Sequence, residues 1–247
     1  WLGTTWQNDA EQTRAALEPL APIDWLVADH YALDARWESA LRPLTKQLMA
    51  IDDLFDRPHD VDLLLNQNIP PGTCSNYSGL LPNACRLLLG PRYALLQGLY
   101  RELRRRTPLR GGKIERVLVY FGGVDAANLT GRSLEALLAA GCGDLDIDVV
   151  LPVAGPHAES IRALVARLPG AHVHETLPSL AQLMANADLA IGAGGTTSWE
   201  RLCLGLPALV VTLSDNQLLI AQSLQANNLA RWLGHHDEIS VERLADE

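Results

Sequence analysis

The sequence predicts an α/β protein of two Rossmann-like domains facing a cleft, the first of them incomplete. Short apolar runs alternate with helical patterns along most of the 247 residues, the pattern of parallel sheets covered by helices. A break at Thr107-Pro108-Leu109-Arg110-Gly111-Gly112-Lys113 is followed by a fresh start of the same alternation. Ile191-Gly192-Ala193-Gly194-Gly195-Thr196-Thr197-Ser198-Trp199-Glu200 reads as a strand end, a glycine turn and a helix start. The expected domains are 1–106 and 114–247, joined by a linker at 107–113.

The elements follow in order. Residues 9–17 read as a polar helix, 24–29 as a strand, 35–44 as a helix, 47–51 as a strand ending at Asp52-Asp53, and 61–66 as a third strand. Prolines, glycines and asparagines make 67–84 a loop. Residues 86–89 suit a further strand and 96–106 a helix. A first α/β domain ordinarily takes about 100–150 residues. This one opens on a helix of mid-domain character, so an opening strand and its loop are expected to be absent from its front edge. Beyond the linker, strands at 116–121, 147–151, 172–174, 188–191 and 208–212 alternate with helices at 128–140, 156–168, 179–187, 199–204 and 216–228. No repeat of solenoid spacing occurs.

Composition narrows the function classes. Hydrophobic residues make up 48%, enough for real cores and too many for a disordered chain. The formal charge of −9 argues against a face that tracks nucleic-acid phosphates. The one basic run, Arg101 to Arg106, reads as the solvated side of a helix. Cys74, Cys85, Cys142 and Cys203 form no Cys-x-x-Cys pair, so zinc and redox motifs lack support. A reduced, cytoplasmic setting fits best. No apolar run reaches the roughly 18 residues of a spanning helix, and no signal peptide is visible.

The glycine turn at 191–200 carries the most chemistry. Glycines let the backbone come close to a ligand, and the following helix aims N–H groups and a positive dipole end at that spot, which suits a diphosphate. Glu200, one turn into the helix, is placed to accept hydrogen bonds from ribose hydroxyls. Turns of this kind also occur in α/β proteins that bind no nucleotide, so the stretch alone leaves both readings open. It is neither a P-loop nor a Gly-x-Gly-x-x-Gly fingerprint, which turns the reading away from adenosine phosphates and NAD.

Ordered motifs extend this. Asp29-His30-Tyr31, Ile51-Asp52-Asp53, Arg57-Pro58-His59-Asp60, Asp62 to Asn66, Gly90-Pro91-Arg92-Tyr93-Ala94-Leu95-Leu96, Phe121-Gly122-Gly123-Val124-Asp125, Gly194 to Glu200 and Asp215-Asn216-Gln217 occur in that order. Together, over about residues 1–235, they resemble the pseudaminic-acid pathway hydrolases that act on UDP-2,4-diacetamido-2,4,6-trideoxy-β-L-altropyranose, a family similar to the GT-B glycosyltransferases of the MurG type. The resemblance implies metal-independent, inverting water attack at the anomeric carbon with release of UDP. It implies that Tyr31 lies near the reacting sugar, and that Gly122 and Gly123 approach the diphosphate. Gly194, Gly195, Thr196 and Ser198 would form the second phosphate loop, Glu200 would hold the ribose, and Asn216 and Gln217 would lie beside the sugar. The family's catalytic histidine, in a Gly-x-Gly-His loop after its first strand, has no counterpart in this sequence.

The remaining candidates carry competing readings. Tyr31 is a poor base at an ordinary pKa of about 10 and either orients water, holds a sugar hydroxyl or is structural. His30 is catalytic or a satisfied loop histidine. Asp52-Asp53 is an acid/base or metal pair, or a strand-end turn whose carboxylate caps backbone N–H groups. Asp125 caps a helix starting near Ala126 or joins the chemistry. His172 and His174 share a strand face but have no evident third ligand. Ser198 lacks a nucleophile elbow. Asn216 is a cap or, with Gln217, a partner for acetamido groups. The expected function is a UDP-sugar hydrolase without cofactor or metal, favoured as a monomer, with no nucleic acid and no membrane span. The alternatives are a GT-B transferase with a UDP-sugar donor and an inactive nucleotide-sugar binding fragment.

Overall fold

Parallel strands cannot be joined by tight turns, so the chain must leave each sheet and return through helices or long loops that cover a face. The computed structural model describes residues 2–68, 74–151, 155–175 and 177–246, with the side chains of 74 and 75 left aside. Residues 69–73 of the expected 67–84 loop therefore lie outside the described residues. The chain divides into two compact units, Trp1–Leu95 and Leu96–Glu247.

The first unit contains α1 (Trp6–Leu17), β1 (Ile23–Ala28), α2 (Ala35–Leu41), β2 (Thr45–Ile51), β3 (Leu63–Asn66) and β4 (Arg86–Leu89). Its sheet is parallel throughout, in the order β1-β2-β3-β4. Short polar side chains start both helices. Thr5 accepts from the Asn8 amide at 3.3 Å and Asp34 from the Arg36 amide at 2.9 Å. The expected helix over 35–44 ends at Leu41, because Pro43 tightens the last turn into a 3₁₀ segment. Trp37 and Leu41 bury the apolar face of α2 against Ala10 of α1, and the Trp37 indole donates to Asp9 at 2.8 Å.

A buried polar cluster joins α2 to the loop after β2. His59 Nδ1 lies 2.6 Å from Glu38 Oε1, its Nε2 faces Asp52 at 3.8 Å, and Arg57 reaches Asp52 at 2.5 Å. Burial alone would lower the His59 pKa. The Asp52 and Glu38 carboxylates outweigh it and raise the pKa from 6.5 to about 9. Burial likewise acts to raise the Asp52 carboxyl, but His59 and Arg57 hold it below its ordinary value. The cluster thus folds around an imidazolium between two carboxylates.

The second unit opens with α3 (Gly98–Arg104), then β5 (Arg116–Tyr120), α4 (Leu129–Ala139), β6 (Asp146–Val150), α5 (Ala158–Val165), β7 (Ala171–His174), α6 (Ala181–Asn186), β8 (Leu189–Ala193), α7 (Thr197–Cys203), β9 (Ala208–Thr212), α8 (Leu218–Ala226), β10 (Arg231–His235) and α9 (Val241–Ala245). The expected boundary after residue 106 comes too late. Tyr100 of α3 is buried in the second unit's core with Met184, Leu204 and Ala221, and Leu96 and Leu103 pack against the same cluster. The six-stranded sheet is parallel, in the order β10-β9-β8-β5-β6-β7. Val117, Val119, Ile147 and Ile191 face α4 and α9, while Leu118, Ala190 and Val210 face the opposite cluster. β10 and α9 were not expected. Arg231-Trp232-Leu233-Gly234-His235 carries a register shift and a glycine at φ +130°, which breaks the apolar run that marks the other strands. Among the described residues no helix is long and apolar enough to cross a membrane.

The raised histidine makes stability pH-dependent with a definite sign. His59 binds its proton more tightly when folded, so its contribution is fully present below pH 6.5 and is lost as pH rises through about 9. That contribution is on the order of 3 kcal/mol. Thermal unfolding of the wild type is expected to weaken between these limits more than that of His59→Gln, followed by near-ultraviolet circular dichroism. Parallel curves would show that the cluster holds a neutral imidazole.

Candidate functional site

The strand order of the second unit reverses between β5 and β8. β6 and β7 extend the sheet to one side of β5, and β8, β9 and β10 extend it to the other. Crossovers therefore leave toward opposite faces, and a crevice opens beyond the carboxyl ends of β5 and β8. Both glycine turns lie there. Gly122 follows β5 with φ +94°, a backbone conformation that a side chain resists. Gly194 and Gly195 follow β8. Among the described residues, the amides of Gly122, Gly123, Gly195, Thr196 and Thr197 donate to no protein acceptor.

A cavity of about 240 Å³ occupies the crevice. Gly122 and Gly123 border it after β5, Val150 and Leu151 after β6, and Thr197 and Glu200 from α7; Leu177 and Ser179 close one side. Glu200 is thus aimed into a half-buried pocket with apolar walls. Burial holds its carboxyl above the ordinary value of 4.5, against the opposing pull of the Tyr100 hydroxyl and the Arg201 charge. Tyr120 and the 177–180 segment belong to the cavity but carry no motif, so sequence reasoning missed them, while Thr197 stood inside the motif without a role of its own.

Other expected residues support the turns from behind. Ser198 is buried, and its hydroxyl accepts from Arg201 Nη2 at 3.0 Å. Gln217 Oε1 accepts from the Leu213 amide at 2.9 Å. Its side chain lies 3.6 Å from where a Cβ on Gly194 or Gly195 would stand, so it braces the second turn. Asn216 Oδ1 accepts from Ser214 Oγ at 2.5 Å on the surface. Thr196 enters α7 without a side-chain capping bond. Asp125 caps, as one reading held, although α4 begins at Leu129; its carboxylate accepts from the amides of Leu129 at 2.8 Å and Thr130 at 2.9 Å.

In the first unit the structure gathers Tyr31, Asp53 and Asn68. The Tyr31 hydroxyl donates to Asp53 Oδ1 at 2.9 Å, and the Asn68 amide reaches the other oxygen. Burial raises the Asp53 carboxyl; the Tyr31 hydrogen bond opposes this and the Asp52 charge adds to it. Asp52 caps the Leu54 amide at 3.2 Å and turns to Arg57, so the two neighbouring carboxylates serve different partners. His30 Nδ1 accepts from the Ala32 amide at 3.1 Å. His174 pairs with Asp148 at 2.7 Å inside the second sheet.

Comparison with known proteins follows this geometry. The structure is similar to MurG of Acinetobacter baumannii, with a TM-score of 0.61 at 16% identity over 96% of this chain and 66% of that one. It is also similar to UGT89C1 of Arabidopsis thaliana, with a TM-score of 0.63 at 10% identity over 96% and 65%. The fold is GT-B. No family model matches the sequence. Curated relatives include the uncharacterized protein MJ1062 of Methanocaldococcus jannaschii, 27% identical over 79% of this chain and 41% of the relative. The spore coat polysaccharide biosynthesis protein SpsG of Bacillus subtilis is 29% identical over 64% of this chain and 47% of its own length. The UDP-2,4-diacetamido-2,4,6-trideoxy-β-L-altropyranose hydrolase of Campylobacter jejuni is 32% identical over 44% of this chain and 38% of its own length. The chain spans less than half the length of each.

Gln217 provides a test of the brace within the GT-B site. Gln217→Ala leaves the Leu213 amide without its acceptor and is expected to destabilise the second unit by about 1–3 kcal/mol. Chemical denaturation measures this; an unchanged midpoint would mean that water replaces the side chain at no cost.

Proposed function

We propose that the chain binds a UDP-sugar and that its activity is hydrolytic release of UDP from UDP-2,4-diacetamido-2,4,6-trideoxy-β-L-altropyranose. Water oxygen bonds to the anomeric carbon, the bond from that carbon to the diphosphate oxygen breaks with inversion, UDP departs with the electron pair, and the attacking water gives a proton to solvent. One observation carries the reading: acceptor-free amides of two glycine turns meet at the switch point beside a cavity into which Glu200 projects. Such amides stabilise the charge that grows on a departing diphosphate and need no reorganisation to do so. Glu200 supplies the acceptor for ribose hydroxyls. The similarity to the Campylobacter hydrolase over 110 residues supports the choice of substrate and of water as acceptor. The phosphate loop, in this reading, comprises Gly122, Gly123, Gly195, Thr196 and Thr197; Gly194, Ser198 and Gln217 position it, and Asn216 is the exposed sugar-side amide. Tyr31, held by Asp53, is the first unit's catalytic candidate, acting by orientation rather than as a base.

Calorimetry with UDP tests the site. Glu200→Ala is expected to weaken binding by about 1–3 kcal/mol, and equal affinity would place the nucleoside elsewhere. Ionised Glu200 is the form that accepts from ribose, and its pKa is raised from 4.5. UDP affinity of the wild type should therefore fall more steeply on acidification toward that value than that of Glu200→Gln, both sharing the protonation of UDP's own terminal phosphate. Turnover is read as UDP released from the diacetamido sugar nucleotide without any acceptor; release only in the presence of an acceptor sugar would make the protein a transferase. Tyr31→Phe should lower that turnover and leave UDP binding near normal, and equal loss of both would make the tyrosine structural.

A further inference from the structure

Arg201 is an anomaly of the second unit. Only 3% of it is exposed, yet among the described residues no carboxylate lies within ion-pair distance of its guanidinium. Its hydrogen-bond partners are neutral. Nη2 donates to the Ala193 carbonyl at 2.8 Å and to Ser198 Oγ at 3.0 Å. Nη1 lies 3.0 Å from the point where a Cβ on Gly192 would stand. The cation therefore sits directly behind the second glycine turn, bridging the tip of β8 to the first turn of α7. Thr197 Oγ1 faces the same Ala193 carbonyl at 3.5 Å, and Thr197 lines the cavity. The guanidinium and the cavity-lining Thr197 thus share one backbone acceptor.

A buried charge that makes no ion pair is costly, and removing its solvent without pairing it is ordinarily avoided. A glutamine or methionine would fill the space without that cost. Burial lowers the Arg201 pKa to about 10, with Glu200 acting the other way, so the group stays charged at neutral pH. Glu200 offsets that charge in part without forming an ion pair, and an anion on the far side of the turn would offset it further.

We infer that Arg201 is the counter-charge of the diphosphate, acting through the glycine turn as a positioning and electrostatic residue without touching the ligand. The inference rests on the UDP reading above and deepens it: the positive charge that an acidic chain needs for a diphosphate lies inside the core. Such a charge is shielded from salt far less than a surface lysine would be.

The test compares UDP with uridine, which lacks the phosphates, by calorimetry on the 247-residue chain. Arg201→Met is expected to weaken UDP at least tenfold and to leave uridine within about twofold, with Arg201→Lys falling between Met and wild type for UDP. A smaller loss of UDP in folded Arg201→Met, or an equal loss for uridine, overturns the inference. Should Arg201→Met fail to fold, the Arg201 Nε–H resonance of the wild type decides, assigned by its disappearance in Arg201→Lys. A shift on adding UDP and none on adding uridine supports the inference, and a resonance that UDP leaves in place overturns it. Wild type that binds no UDP overturns the parent reading as well, whereas wild type that binds UDP as tightly as Arg201→Met overturns this inference alone.

Discussion

The position of β5 between β6 and β8 is the constraint on which the second unit depends. Parallel pairing of Tyr120 with Gly192 brings two strand tips side by side, and their closeness is measurable. A Cβ on Gly192 would lie 2.4 Å from the Tyr120 carbonyl, a backbone atom that has nowhere to go. Glycine at 192 therefore follows from sheet packing rather than from any ligand. Because the strand order reverses here, the chain leaves β5 and β8 toward opposite faces, and the two turns flank the gap. Crevice, exposed amides and cavity are one consequence of one pairing.

The two units handle buried charge in opposite ways. In the first, Glu38, His59, Asp52 and Arg57 alternate in sign within a few ångströms, so each charge has an opposite charge beside it, although His59 Nε2 makes no hydrogen bond. Its role is to fasten α2 to the loop after β2. In the second, Arg201 is equally buried and has only a carbonyl and a hydroxyl. A closed network has no use for a further ion, whereas an open one does. This contrast, more than overall charge, is what the proposed role of Arg201 rests on.

Much of the architecture was legible in the sequence because strands buried on both faces write themselves as apolar runs. Val117 to Tyr120 and Ala208 to Val211 are of this kind, and Ile147 to Val150 is broken only by Asp148. The strand at Arg231–His235 was not, since an arginine, a glycine bulge and a histidine interrupt it. The place of α3 was also hidden. Its pattern announces a helix, but which core receives Tyr100 is settled by distant partners such as Met184. Within the site, the glycine turns and Glu200 were readable as a motif. The division of labour among their neighbours was not: Ser198 and Gln217 have side chains suited to a ligand, and packing turns both toward the protein's own backbone and Arg201.

The two turns are not equivalent as anion sites, and the reason is Asp125. Held at φ +44°, it folds its carboxylate over the first amides of α4, so that helix end is already satisfied by a negative charge. A phosphate placed on the axis of α4 would compete with a carboxylate that is covalently present and correctly aimed. The start of α7 has no such cap, and Arg201 adds positive charge behind it. In the proposed reading, the electrostatic pull on a diphosphate is centred on Gly195 to Thr197. Gly122 and Gly123 contribute close backbone approach and hydrogen-bond donors, with no helix dipole of their own to offer. On this proposal an acidic protein captures an anion because the field that matters is that of a few fixed dipoles and one buried cation at short range, while the exposed carboxylates are screened by solvent and salt.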